Sequence, residues 1–238
     1  MEPHHVVNRA SAPGSGFMAK FQWFLGLMAV SAVVLAGSGV ARAEEKPAAA
    51  PPAVAPAAPI TPAVTYHELI EGNPKAKVTV IEFASLTCPH CARFQSEVFP
   101  QIRKNYIDTG KVRYVFKDYP LDDLAMAGAV LARCAPADRG LKLIDLMFKN
   151  QTEWARAEKP IVPLKGYAQL TGMSGAQVDA CLQNRTLLQA IKDEQNKATT
   201  LYQVEATPTF YVGDEKVDGE RTYDDFAKVI DKQLSKAK

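Results

Sequence analysis

Two cysteines stand at a spacing that permits thiol chemistry, in the sequence Cys88-Pro89-His90-Cys91. The motif follows a run rich in β-branched residues, 78–84, and precedes apolar residues at helical spacing, so it is expected where a strand gives way to a helix. Pro89 suits the first helical turn, because its missing N–H would be unpaired there in any case. A thiol at a helix N-terminus faces unpaired backbone N–H groups and the positive end of the helix dipole, and both stabilise a thiolate. This placement indicates redox chemistry.

Thiol–disulfide exchange needs an attacking thiolate and a second thiol that resolves the mixed disulfide. We expect Cys88 to be the exposed cysteine with the lower pKa, and Cys91, one helical turn later, to be its more buried partner. The alternatives are a static disulfide or half of a zinc site. Zinc would need two further ligands, and Cys134, Cys181 and His67 show no such grouping in the sequence. The pattern therefore favours redox chemistry without a metal or a cofactor.

His90 lies between the two cysteines, where an imidazole can donate to the Cys88 sulfur and bring positive charge near it. Stabilising the thiolate stabilises the reduced protein, and so makes the disulfide a stronger oxidant. The alternative is a surface histidine without a role.

The elements around the motif predict an α/β domain. A strand over 77–84, a helix from the motif to about Tyr106 and a second strand over 112–117 form a right-handed βαβ unit. Residues 121–203 are helical throughout, and Ser174 with Gln177 has the pattern of a capping box.

Strand character returns after these helices, over residues 204–212. A tight turn over 213–216 and a short strand from Val217 predict a hairpin. The segment Thr222-Tyr223-Asp224-Asp225 then opens the last helix.

Composition sets broad limits on function. The chain has 238 residues, of which 47% are hydrophobic and 23% charged, with a formal net charge of +2. This composition suits a globular domain, and the charge gives no electrostatic case for binding nucleic acid or another polyanion.

The N-terminus predicts export. An apolar stretch, 21–40, follows Lys20 and precedes Ala41-Arg42-Ala43, so we expect a secretory signal peptide cleaved between Ala43 and Glu44. The alternative is an uncleaved signal anchor, because the apolar length approaches that of a membrane span. Met18 is a candidate for the true start codon. In either case the rest of the chain lies outside the cytoplasm, where disulfides persist.

Three separated features together resemble one family. The chain resembles thioredoxin-fold proteins in three features: the strand–C-x-x-C–helix unit, the helical insertion, and Thr207-Pro208 before a hairpin. Pro-His between the cysteines, with the inserted helices, resembles the DsbA family of periplasmic thiol oxidases, over about residues 65–235. The resemblance implies an α/β, thioredoxin-like fold with an all-helical domain inserted between the βαβ unit and the cis-Pro strand. The expected organisation is a signal region at 1–43, an Ala/Pro-rich linker at 44–63, a thioredoxin-like domain at 64–120 and 204–238, and the helical insertion at 121–203.

The resemblance also assigns residues around the motif. Glu82 matches the buried acid beneath the active site that relays the proton of Cys91, the alternative being a solvent-facing strand residue. Thr207 and Pro208 match a cis peptide that faces the disulfide and leaves backbone groups to pair with substrate; the alternative is a proline that starts an edge strand.

The remaining cysteines, Cys134 and Cys181, resemble the extra pair of one branch of the family. In an oxidising compartment we expect them to form a structural disulfide, the alternative being two free buried thiols.

The function implied is that of a periplasmic, monomeric oxidase that donates the Cys88–Cys91 disulfide to reduced secreted proteins and is reoxidised by a membrane quinone reductase of the DsbB type. Two alternatives stay open at this point. One is a disulfide isomerase or reductase, and the other is a non-catalytic chaperone or metal carrier that uses the fold as a binding surface.

Overall fold

The computed structural model describes residues 64–237, and the predicted signal peptide and the whole of the predicted linker lie outside these residues. The bounds of the elements are β1 Leu69–Gly72, β2 Val78–Ala84, α1 Pro89–Arg93, a π-helical turn Phe94–Val98, α2 Phe99–Ile102, a second π-helical turn Arg103–Ile107, β3 Val112–Asp118, α3 Asp123–Cys134, α4 Gly140–Lys149, α5 Gln151–Ala155, α6 Ile161–Leu170, α7 Gly175–Leu182, α8 Arg185–Leu201, β4 Thr209–Val212, β5 Glu215–Asp218 and α9 Tyr223–Lys236.

The strands form a five-stranded sheet in the order β1-β3-β2-β4-β5. β2 and β3 are parallel, as the βαβ prediction requires, and the other neighbours are antiparallel. Helices α3 to α8 all fall between β3 and β4 along the chain. The thioredoxin-like fold with an inserted helical domain is therefore confirmed.

Three details differ from the prediction. β1, for which the sequence analysis predicts no strand, pairs with β3 through Leu69–Gly72. α5 lies in the range predicted to be helical but was not predicted as a separate helix, because five residues are too few to show a helical repeat. β4 begins at Thr209 and not at Val204, because the chain bends at residues 206–208 before the strand.

Aromatic packing fixes the helix that follows the C-x-x-C motif. Phe94 is fully buried, with its ring centroid 4.5 Å from that of Phe210 on β4 and 5.1 Å from that of Phe226 on α9. Burying such a side chain contributes about 2–3 kcal/mol. The start of the helix is therefore held between the sheet and the C-terminal helix.

The helical insertion is joined to the sheet by a buried ion pair. Arg133 on α3 contacts Asp118 at the end of β3 at 2.7 Å, and both side chains are almost completely buried. The same guanidinium donates to the carbonyl oxygens of His67 and Phe116 and lies over the ring of Tyr66. Separating the two partners would leave a buried charge without a counter-charge, which is costly. The pair therefore fixes the position of α3 on the sheet.

The second cysteine pair forms the predicted disulfide. Cys134 ends α3 and Cys181 lies on α7, with Cα atoms 6.2 Å apart and a sequence separation of 47. The capping box at the start of α7 is also confirmed, since Ser174 accepts from the backbone of Gln177 and the Gln177 side chain accepts from Ser174 N–H.

Candidate active site

Cys88 caps the N-terminus of α1, and Pro89 occupies the first helical position as predicted. Cys88 and Cys91 are free thiols in this structure. Cys91 is completely buried. Cys88 was expected to be exposed, but only 5% of it is accessible, because the cis-proline loop lies against it. Its sulfur donates to the carbonyl oxygen of Thr207 at 3.3 Å.

The two thiols ionise very differently. The pKa of Cys88 is lowered to about 5, mainly by a hydrogen bond from the Cys91 thiol. The side chain of Thr207 and the backbone N–H groups of Cys91 and His90 add to this effect, and together these hydrogen bonds outweigh the raising effect of burial. Burial, with the bond to Cys88, raises the pKa of Cys91 well above its ordinary value. At neutral pH, Cys88 is therefore a thiolate and Cys91 a thiol.

The peptide bond between Thr207 and Pro208 is cis, as predicted. The hydroxyl of Thr207 is buried and has no hydrogen-bond partner among residues 64–237. It can therefore donate to the Cys88 sulfur when that sulfur is ionised, which accounts for its part in lowering the pKa.

Glu82 is fully buried on β2, so the alternative of a solvent-facing residue is wrong. Tyr114 donates to Glu82 Oε2 at 2.5 Å and Gln95 donates to the same oxygen at 2.7 Å. Burial raises the pKa of Glu82 to about 8, against the lowering effect of these two hydrogen bonds. Glu82 is thus a neutral acid at pH 7, and its charged form raises the pKa of Cys91.

The two carboxyl oxygens of Glu82 differ in their hydrogen bonding. Oε2 already accepts two hydrogen bonds, whereas Oε1 has no partner in the described part of the chain. Oε1 is therefore the Glu82 oxygen with room for a further hydrogen bond.

The side chain of His90 does not donate to Cys88 as the sequence predicted. Its Nδ1 lies 3.0 Å from Glu220 Oε2 and 2.7 Å from Arg93 Nη2, which turns the imidazole toward the loop before α9. The stabilising contribution of His90 to the Cys88 thiolate comes from its backbone N–H.

Four further residues complete the site, and the sequence analysis missed them. Gln95 and Tyr114 hold Glu82, and Glu220 holds His90. Gln151, at the start of α5, is buried and donates to the carbonyl oxygens of Leu86 and Cys88 at 2.8 and 2.9 Å. Gln95, one helical turn after Cys91, was the one residue with a local signal, since it is a polar side chain at helical spacing from the motif.

Two other features of the described residues bear on function. No group of three or more His, Cys, Asp or Glu residues within 64–237 is arranged to hold a metal ion. In the same range, no helix is both long enough and apolar enough to cross a bilayer.

A dithiol at a helix N-terminus, faced by a cis-proline, defines the class of thioredoxin-fold dithiol proteins. A family model described as Thioredoxin matches residues 65–232. The crystal structure of alpha-DsbA1 from Wolbachia pipientis is 30% identical, with a TM-score of 0.67 over 71% of this chain and 92% of that chain. The chain therefore belongs to the thioredoxin family, among its DsbA-type members.

Sequence relatives agree with this placement. A Rickettsia conorii protein named as a putative protein-disulfide oxidoreductase is 31% identical over 75% of this chain, which spans 65% of that protein's length. Disulfide bond formation protein D of Bacillus subtilis is 28% identical over 72% of this chain and 82% of its own length. The chain is thus similar to proteins named for disulfide chemistry, although it spans slightly less than two thirds of the rickettsial protein.

Proposed function

We propose that this protein is a thiol:disulfide oxidoreductase that works as an oxidase and donates the Cys88–Cys91 disulfide to reduced secreted proteins. The observation that carries the proposal is the opposite ionisation of the two thiols. A pKa of about 5 makes Cys88 a stable thiolate at neutral pH, and this favours the reduced protein over its disulfide. A protein with that preference readily transfers its disulfide to other thiols.

In the first step, a substrate thiolate attacks the Cys88 sulfur of the oxidised protein. The Cys88–Cys91 bond breaks, a substrate–Cys88 disulfide forms, and Cys91 leaves as a thiolate. Cys91 is completely buried, so its charge is costly and it takes up a proton at once. Glu82, whose charge acts on Cys91, is the neutral acid that can supply this proton.

In the second step, another substrate thiolate attacks the substrate sulfur of the mixed disulfide. The new substrate disulfide forms and Cys88 leaves as a thiolate. Its low pKa makes it the better leaving group. In total two electrons pass from the substrate thiols to the protein, which ends as the dithiol.

The cis peptide supports a role in holding the substrate. Thr207 and Pro208 lie directly against the Cys88 sulfur, and the Thr207 carbonyl oxygen accepts from that sulfur in the dithiol form. We assign these residues to the binding of an extended substrate segment while its thiol reaches Cys88.

The cycle requires reoxidation. We propose that a membrane quinone reductase of the DsbB type accepts the two electrons. The ionised fraction of Glu82, whose pKa is about 8, receives the Cys91 proton as the disulfide closes. We place the protein in the periplasm as a monomer, exported by the signal region at 1–43 and separated from it by the linker at 44–63; these assignments rest on the sequence.

The test is disulfide transfer to a reduced client protein, followed by counting client thiols. The oxidised protein is expected to remove client thiols stoichiometrically. Cys88→Ser and Cys91→Ser, neither of which can form the Cys88–Cys91 disulfide, are both expected to be inactive. The double variant Cys134→Ser/Cys181→Ser, which removes cysteines outside the site, is the matched control and keeps the activity.

Two results would contradict the proposal. One is client oxidation by Cys88→Ser at the rate of the unmodified protein. The other is a reduction potential near the value of thioredoxin, about −270 mV, which would indicate a reductase.

A further inference from the structure

The loop between β5 and α9 contributes one charged side chain to the C-x-x-C motif. Gly219 N–H donates to the carbonyl oxygen of Pro208 at 2.9 Å, which ties this loop to the cis-proline. Gly219 has a φ of 74°, a conformation that suits glycine, and the chain then turns Glu220 back toward α1. Glu220 is thus placed by the same segment that faces the thiols.

Glu220 binds two side chains of α1 at once. Its carboxylate accepts both arms of the Arg93 guanidinium, at 3.0 Å from Nε and 2.8 Å from Nη2, in a bidentate ion pair. Its Oε2 also lies 3.0 Å from Nδ1 of His90. Only about a quarter of the Glu220 side chain is exposed, against about half for each of its partners.

The charge balance at this end of α1 follows from these contacts. Arg93 is the permanent cation of the cluster. Its pKa is raised mainly by the hydrogen bonds to Glu220 and, to a smaller extent, by the charge of Cys88. The Cys88 thiolate is therefore one of the charges that act on Arg93. Arg93 therefore attracts the Cys88 thiolate, and Glu220, which pairs with Arg93, offsets that attraction. Glu220 also holds the imidazole of His90 beside the ion pair, on the side of the loop.

We propose that Glu220 is a positioning residue that weakens stabilisation of the Cys88 thiolate, by neutralising Arg93 and holding His90, and so limits the oxidising strength of the disulfide. The inference rests on the proposed function only in taking Cys88–Cys91 as the redox-active pair. It assigns to the loop before the last helix a part in setting the reduction potential, in addition to the dipeptide between the cysteines.

The test is Glu220→Gln, which removes the charge and keeps an oxygen that can accept from Arg93. The equilibrium measured is that of the Cys88–Cys91 disulfide with two glutathione thiols, which gives the protein dithiol and one glutathione disulfide. For a partly exposed charge, Glu220→Gln is expected to shift this equilibrium about threefold toward the dithiol. That shift corresponds to a reduction potential about 14 mV higher. The ultraviolet absorbance of the thiolate is expected to titrate at lower pH in the variant.

A matched control and a second variant separate charge from structure. Glu215→Gln makes the same substitution in β5, where the partner is Lys232 at 2.7 Å, and is expected to leave the equilibrium unchanged. Arg93→Gln is expected to shift it toward the disulfide, and the double variant Arg93→Gln/Glu220→Gln is expected to lie between the two single variants.

High salt gives a readout that a structural role would not move, since screening should reduce the Glu220→Gln shift. An unchanged equilibrium in Glu220→Gln, a shift toward the disulfide, or a shift independent of salt would each overturn the inference. The measurement needs no client protein, so a failure of client oxidation would count against the proposed function and leave this result standing.

Discussion

Replacing the buried acid by its amide, Glu82→Gln, is expected to make the oxidised protein more stable, and increasingly so as the pH rises. Glu82 has a pKa of about 8 in the folded protein, against an ordinary value of 4.5 in the unfolded chain. Between these values the folded state keeps a proton that the unfolded state has released. The free energy of unfolding of the unmodified protein therefore falls as pH rises through this window, and the contribution levels off above about pH 8.

The magnitude follows from the size of the shift. A difference of this size between the folded and unfolded pKa corresponds to about 5 kcal/mol at alkaline pH and to almost nothing below pH 4.5. The amide of the variant has no acid proton to release, so the gap in unfolding free energy between variant and unmodified protein should widen by that amount over the window. Any constant offset from altered hydrogen bonding to Tyr114 and Gln95 cancels when the two ends of the window are compared.

The assay is urea unfolding of the two oxidised proteins at a series of pH values. In the oxidised form Cys88 and Cys91 do not titrate. Burial, the largest cause of the raised pKa of Glu82, remains, and the smaller raising effect of Cys88 is absent. Glu97→Gln, an exposed acid on the following π-helical turn, controls for the loss of one negative charge. A stability gap that is the same at pH 4.5 and pH 8.5 would refute the view of Glu82 as a buried neutral acid.

Three further outcomes are expected. In the reduced protein, thiolate absorbance should titrate with a midpoint near pH 5 from Cys88, and a midpoint at the ordinary thiol value would contradict the ionisation described above. Replacing Cys134 and Cys181 together by alanine should lower the free energy of unfolding by about 4 kcal/mol, because the disulfide closes a loop with a sequence separation of 47; equal denaturation midpoints would show that the bridge adds nothing. Gln151→Leu should cost about 2 kcal/mol of stability in the same assay, since the buried carbonyl oxygens of Leu86 and Cys88 lose their donor, and an unchanged midpoint would mean that water replaces the amide.

The sequence predicted the parts of the site that local chemistry determines. Cys88 and Pro89 stand at a helix start because a strand-like run ends and helical spacing begins there, and Glu82 lies in an otherwise apolar strand. The cis peptide at Thr207-Pro208 came from the family resemblance, since a proline alone does not specify its isomer.

The residues that the sequence did not reveal act across long separations. Glu220 meets His90 over 130 positions, and Gln151 meets Cys88 over 63. No periodicity or short motif links such pairs, because the contacts exist only once the hairpin and the insertion have folded onto α1. The same reason explains why the prediction that the His90 side chain donates to Cys88 was wrong. The motif gives the spacing between His90 and Cys88, but it does not show that Glu220 lies beside the imidazole.

The two outer strands of the sheet have a consequence for a protein proposed to handle unfolded clients. β1 and β5 are each four residues long, and β5 carries Glu215, Lys216 and Asp218. An unfolded client offers free backbone groups that could add to any open strand as a further strand of the sheet. Short outer strands, one of them highly charged, disfavour such addition. Both outer strands are thereby poor templates for strand addition by an unfolded chain.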